Sequence, residues 1–190
     1  MTQQAIAERP DTIMNGVNVT ALKNVLKAVQ ANKDIADFQF RARNTWLGGD
    51  ANRTTIQGFY GACQEDTSRA QPFVFDNGEP PVLLGKDHGA NPVEFVLHAL
   101  AGCVTTTMAY HAAARGIEIE AIESRLEGDL DLRGFLGLSN TVRKGYHHVR
   151  VHMRVKSKAA PETLAALAKY SPVYDIVSNS LPVELVVETY

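Results

Sequence analysis

The stretch NPVEFVLHALAGCVTTTMAYHAAARG, Asn91 to Gly116, decides how the rest of the chain is read. Asn91 is a capping residue, Pro92 suits the first helical position, and Glu94 complements the positive end of the helix dipole. Gly116 closes the helix just past Arg115. At ~1.5 Å per residue this helix is ~35 Å long. It is apolar almost all round, broken by His98, by Thr105, Thr106 and Thr107, and by His111. A membrane span needs ~20 predominantly apolar residues, so the interrupted pattern reads as a buried core helix. A helix buried on most sides needs a large apolar jacket. A chain of 190 residues with small sheets supplies little of one, so a dimer is the economical expectation.

On the N-terminal side, residues 1–17 are polar and expected to be loose. A short helix opens at Thr20, with Leu22, Val25, Leu26 and Val29 at helical spacing. Phe38, Phe40 and Ala42 alternate with Gln39, Arg41 and Arg43, the period of a half-buried strand. Gly48-Gly49-Asp50 forms a turn, and Thr54–Tyr60 reads as the hairpin partner. A third strand is expected near Phe73–Phe75, and the Pro- and Gly-rich run Asn77–Ala90 is a loop.

On the C-terminal side, Ile117, Ile119 and Ile122 start a long strand-like segment reaching Leu130 and Leu132. Val149, Val151, Met153 and Val155 form a second strand, with Gly134–Gly145 as loop or hairpin tip between them. A helix carrying Leu164, Leu167 and Ala168 follows. Ser171 then caps a further helix with Pro172 at its first position, and Pro182–Glu188 reads as a closing strand. Strands and helices are segregated rather than alternating, which makes the chain α+β. Residues 1–37 form an N-terminal extension and residues 38–190 the main domain.

Composition narrows the function. With 45% hydrophobic and 21% charged residues the chain is neither disordered nor collagen-like. Nineteen Lys and Arg against 21 Asp and Glu leave a net charge of -2, which gives no footprint for nucleic acid or an acidic membrane face. Two cysteines without a signal peptide do not make a disulfide scaffold. The expected setting is the cytoplasm, where thiols stay reduced.

Cys103 is the first candidate for chemistry. A core cysteine is the ordinary reading of a mid-helix position. Gly102 beside it costs the helix ~1 kcal/mol and points to close packing or to access. No helix N-terminus lowers this thiol's pKa, so an active thiolate needs an Arg or Lys from elsewhere. Cys63 has small and acidic neighbours and reads as structural. His148 and His152 lie ~13 Å apart along a strand, too far to share one zinc. His111 is ~12 Å along the helix from Cys103, outside hydrogen-bond reach. No metal site and no cofactor are expected.

NPVEFVLHALAGCVTTTM, Asn91 to Met108, resembles the central-helix signature of the OsmC/Ohr thiol peroxidases, the osmotically inducible and organic hydroperoxide resistance proteins. YSPVYDIVSNSLPVELVV, Tyr170 to Val187, resembles the family's Cys-Pro-Val motif and closing strand. The resemblance spans roughly residues 38 to 188. It implies an intertwined homodimer, with antiparallel sheets around a long buried central helix. Cys103 takes the place of the peroxidatic thiol, which attacks an organic hydroperoxide and becomes a sulfenic acid. An Arg from the N-terminal hairpin stabilises the thiolate. Arg53 is the first choice for it and Arg43 the second. A Glu near the start of the helix orients that Arg. Val93 holds the commonest position for this acid and Glu94 lies one residue later. Ser171 stands where the family has its resolving cysteine. It caps its helix or donates to the Cys103 sulfur, and an external thiol reductant must resolve the sulfenate. Cys63 is a remote substitute for the missing thiol. The alternatives to a peroxidase are a redox-sensing or hydrophobic-ligand-binding module without turnover, and a structural dimer with an inert cysteine.

Overall fold

The computed structural model describes residues 11–189; the first ten residues and Tyr190 lie outside it, and with them most of the stretch expected to be loose. The described part of that stretch is ordered. Strands β1 (Ile13–Met14) and β2 (Val17–Asn18) pair antiparallel across Asn15-Gly16, both at positive φ. Helix α1 (Val19–Ala31) starts one residue before the sequence reading because Asn18 caps it: Asn18 Oδ1 accepts from the Ala21 N–H at 2.9 Å.

Next come β3 (Gln39–Phe40), β4 (Arg43–Gly48), β5 (Ala51–Ile56), β6 (Phe59–Gly61), β7 (Gln64–Asp66) and β8 (Phe73–Asn77). The alternating run Phe38–Arg43 is therefore not one strand. Its two parts enter separate antiparallel sheets, β3-β6-β7 and β4-β5-β8. The turn at Gly49-Asp50 joins β4 to β5, with Trp46 opposite Asn52 and Arg43 opposite Thr55. Phe59 and Tyr60, expected in that hairpin, pair with β3 instead. Period-two alternation assigns faces but not partners. β8 lies where the third strand was expected and pairs with β5. The loop after it holds one short 3₁₀ turn, Pro81–Leu83.

The chain divides into two compact units, one up to Phe95 and the other from Val96. Helix α2 (Pro92–Ala114) carries the chain across this division. Its start is a reciprocal capping box: the Glu94 N–H donates to Asn91 Oδ1 at 2.8 Å and the Asn91 N–H to Glu94 Oε2 at 2.9 Å. Its end is a Schellman turn. Gly116 sits at φ 73°, a left-handed conformation that glycine adopts without strain. The Ile117 N–H reaches back to the Ala112 carbonyl and the Gly116 N–H to that of Ala113.

The second unit continues with β9 (Ile119–Asp129), α3 (Leu132–Phe135), β10 (His148–Ser157), α4 (Pro161–Ala168) and α5 (Pro172–Ser178). β9 and β10 form one long antiparallel hairpin. Its first strand stops at Asp129, and Leu132, expected to extend it, opens α3 under an Asp131 cap. The core is a stripe of α2 at four-residue spacing, Leu100, Val104, Met108 and Ala112, packed on Leu164, Leu167 and Ala168 of α4. Burial of one such leucine is worth ~1.5–3 kcal/mol.

Within the single chain helix α2 buries only Leu100, Val104, Met108, Ala112 and Ala113, because the jacket this one chain supplies covers one stripe, in line with the small jacket read from the sequence. One expectation fails here. Residues 180–189 form no strand, and Val183, Leu185, Val186 and Val187 stay exposed, because among the described residues no ladder partner bonds them.

Candidate functional site

Cys103 lies in the second unit, near the middle of α2 and one residue before core-facing Val104. It is not a core residue: its side chain is partly exposed. A step of one residue turns a helix by ~100°, which takes the thiol off the buried stripe. A Cβ placed on Gly102 would meet no atom within 4 Å, so the glycine is not demanded by packing inside the chain. It leaves the flank of the thiol open.

Ser171, the other sequence-selected residue of this unit, is 1% exposed. Its hydroxyl oxygen accepts from the Tyr174 N–H at 3.1 Å, and its carbonyl accepts from the Asp175 N–H. The residue is thus the N-cap of α5, as its Ser-Pro sequence implies. The hydroxyl's hydrogen bond is to the start of α5 and not to the Cys103 sulfur.

Arg53 and Glu94 belong to the first unit. Arg53 lies on β5 directly opposite Asp76 on β8. Its guanidinium forks onto that carboxylate, Nε to Oδ1 at 2.6 Å and Nη2 to Oδ2 at 2.9 Å. The hydrogen bonds hold Asp76 below the usual carboxylate range and raise Arg53. The carboxylate that orients Arg53 is therefore Asp76, which the sequence reading passed over. Finding it required the β5–β8 register, for which no local signal exists. Glu94 instead spends Oε2 on its capping box. Arg43, the second choice, lies on β4 opposite Thr55.

Asp50 was also missed. Its Oδ2 accepts from the Glu79 N–H at 3.0 Å and the Lys86 N–H at 3.2 Å, tying the Pro- and Gly-rich loop to the β4–β5 turn. Those two hydrogen bonds pull its carboxyl below the ordinary value. Cys63 is exposed at the tip of the β6–β7 hairpin, where Ala62 and Cys63 both take positive φ. The arginines of the histidine-bearing strand β10 are paired with acids. Arg150 binds Asp129 and Glu127, and Arg154 binds Glu123, all supplied by β9. Among the described residues no cluster of His, Cys, Asp or Glu could hold a metal ion.

Two recesses lie in the second unit. The larger, of about 690 Å³, is mainly apolar and is walled by Val104, Met108, Val155, Leu164, Ala168 and Tyr174 among others. The smaller, of about 280 Å³, lies between Thr106, Thr107, Tyr110 and His111 of α2 and Tyr170 and Pro172, the two neighbours of Ser171. His111 and Tyr170 stack at 4.5 Å. Arg115 Nη1 donates to His111 Nδ1 at 2.9 Å. Burial first, and then the charge of Arg115, hold the His111 pKa below its ordinary value.

These features define an α+β protein with a partly exposed thiol on its long central helix, backed by an antiparallel hairpin and two short helices. A family model described as OsmC-like protein matches residues 85–186, more than half of the chain, and the chain belongs to the OsmC-like family. The matched segment holds Cys103 and Ser171, while Arg53 and Asp76 precede it. The fold resembles the OsmC-like protein of Mycoplasma pneumoniae with a TM-score of 0.57 at 15% identity, over 75% of this chain and 89% of that one. It also resembles an OsmC-like protein of unknown function from Vibrio cholerae O1 biovar eltor, with a TM-score of 0.55 at 15% identity, over 79% of this chain and 97% of that one. No curated protein matches the chain by sequence.

Proposed function

We propose that the chain is a thiol-dependent peroxidase that reduces organic hydroperoxides at Cys103. The observation that carries this reading is the placement of Cys103: partly exposed and flanked by open space at Gly102, on the central helix of a family-matched segment. The resemblance of residues 91–108 and 170–187 to the OsmC/Ohr peroxidases supports it. The Cys103 thiolate attacks the distal oxygen of the hydroperoxide and the O–O bond breaks. The departing alkoxide takes a proton to become the alcohol, and the sulfur is left as a sulfenic acid. Arg53, already oriented by Asp76, is the proposed cation for the thiolate, and Glu94 fixes the start of the helix that bears the thiol.

Ser171 cannot close a disulfide, so an external thiol attacks the sulfenic sulfur, forming a mixed disulfide and releasing water. A second thiol frees Cys103 and leaves as the oxidised disulfide. The reading includes a homodimer, supported by the uncovered sides of α2 and by the exposed apolar segment after α5. It places the reaction in the reducing cytoplasm. One observation favours a second reading, a module that binds a hydrophobic ligand: the apolar recess of about 690 Å³ beside Val104 and Met108.

The test treats reduced protein with one equivalent of cumene hydroperoxide and reads intact mass with and without a sulfenate-trapping reagent. A trapped adduct is expected in wild type and in Cys63→Ser, and none in Cys103→Ser. Multiple turnover with a thiol reductant then separates the peroxidase from a sensor. No oxidation of Cys103 at stoichiometric peroxide overturns the reading.

A further inference from the structure

We draw no further inference here: the strongest candidate, the apolar recess of about 690 Å³ between β10 and α4, belongs to the hydrophobic-ligand reading already given, and nothing in the structure shows what covers its open side.

Discussion

Ser171→Ala probes the joint between fold and chemistry. The substitution removes one oxygen at a position 1% exposed, and that oxygen accepts the Tyr174 N–H at 3.1 Å. Pro172 has no N–H, so only the next two amides of α5 need partners, and the serine satisfies one of them. Loss of a capping side chain typically costs ~1 kcal/mol, within a range of ~0.5–2. Burial of the cap restricts water from replacing it, and an unsatisfied buried donor costs ~1–3 kcal/mol. The expected loss is therefore in the upper part of the capping range, about 1.5–2 kcal/mol. A helix of seven residues has no independent stability, so the cost propagates to Val173, Tyr174 and Val177, which pack on the core. Urea unfolding should show a lower midpoint at unchanged m, and Tyr174 amide exchange should accelerate. Ser171→Thr, which keeps the acceptor, should stay near wild type. Ser171→Cys should lose about as much as Ser171→Ala, because a thiol is a weak acceptor. A Ser171→Ala midpoint indistinguishable from wild type, with Tyr174 exchange unchanged, would refute the assignment of the hydroxyl to the cap.

Leu100→Ala removes three carbons from a side chain 2% exposed, worth ~2.4 kcal/mol at ~0.8 per buried methylene, with a cavity term of ~1–1.5 kcal/mol added. A urea-unfolding loss of about 3–4 kcal/mol is expected, and a loss under ~1 would show that α2 and α4 do not pack through this residue. His111 supplies the pH dependence: its pKa is depressed in the folded protein by burial and by Arg115, so the unfolded chain binds the proton more readily. Its contribution is fully present above the ordinary histidine value near 6.5 and is lost as pH falls through the folded value. Between pH 7.5 and 5 wild type should lose stability more steeply than His111→Asn, and parallel slopes in the two proteins would contradict the shift.

Much of the fold was legible because its signals are local. Asn91-Pro92 and Gly116 bracket α2 correctly, since caps and left-handed glycines act within one turn. Ser171-Pro172 announced the start of α5 for the same reason. The resemblance carried by residues 91–108 and 170–187 located the family, later matched over residues 85–186.

What the sequence by itself determined is thus the class α+β and the ends of the central helix, and it singled out the two positions, Cys103 and Ser171, on which the proposed chemistry turns. Only the tertiary structure decided that Phe38–Arg43 splits between two sheets, that Asp76 holds Arg53, and that residues 180–189 form no strand. It also decided that Cys103 is partly exposed and borders the core stripe without joining it. Each of these depends on which distant segment lies opposite. Strand register and helix-face burial are set by contacts across tens of residues, and neither a residue's type nor its neighbours in the chain encode the partner.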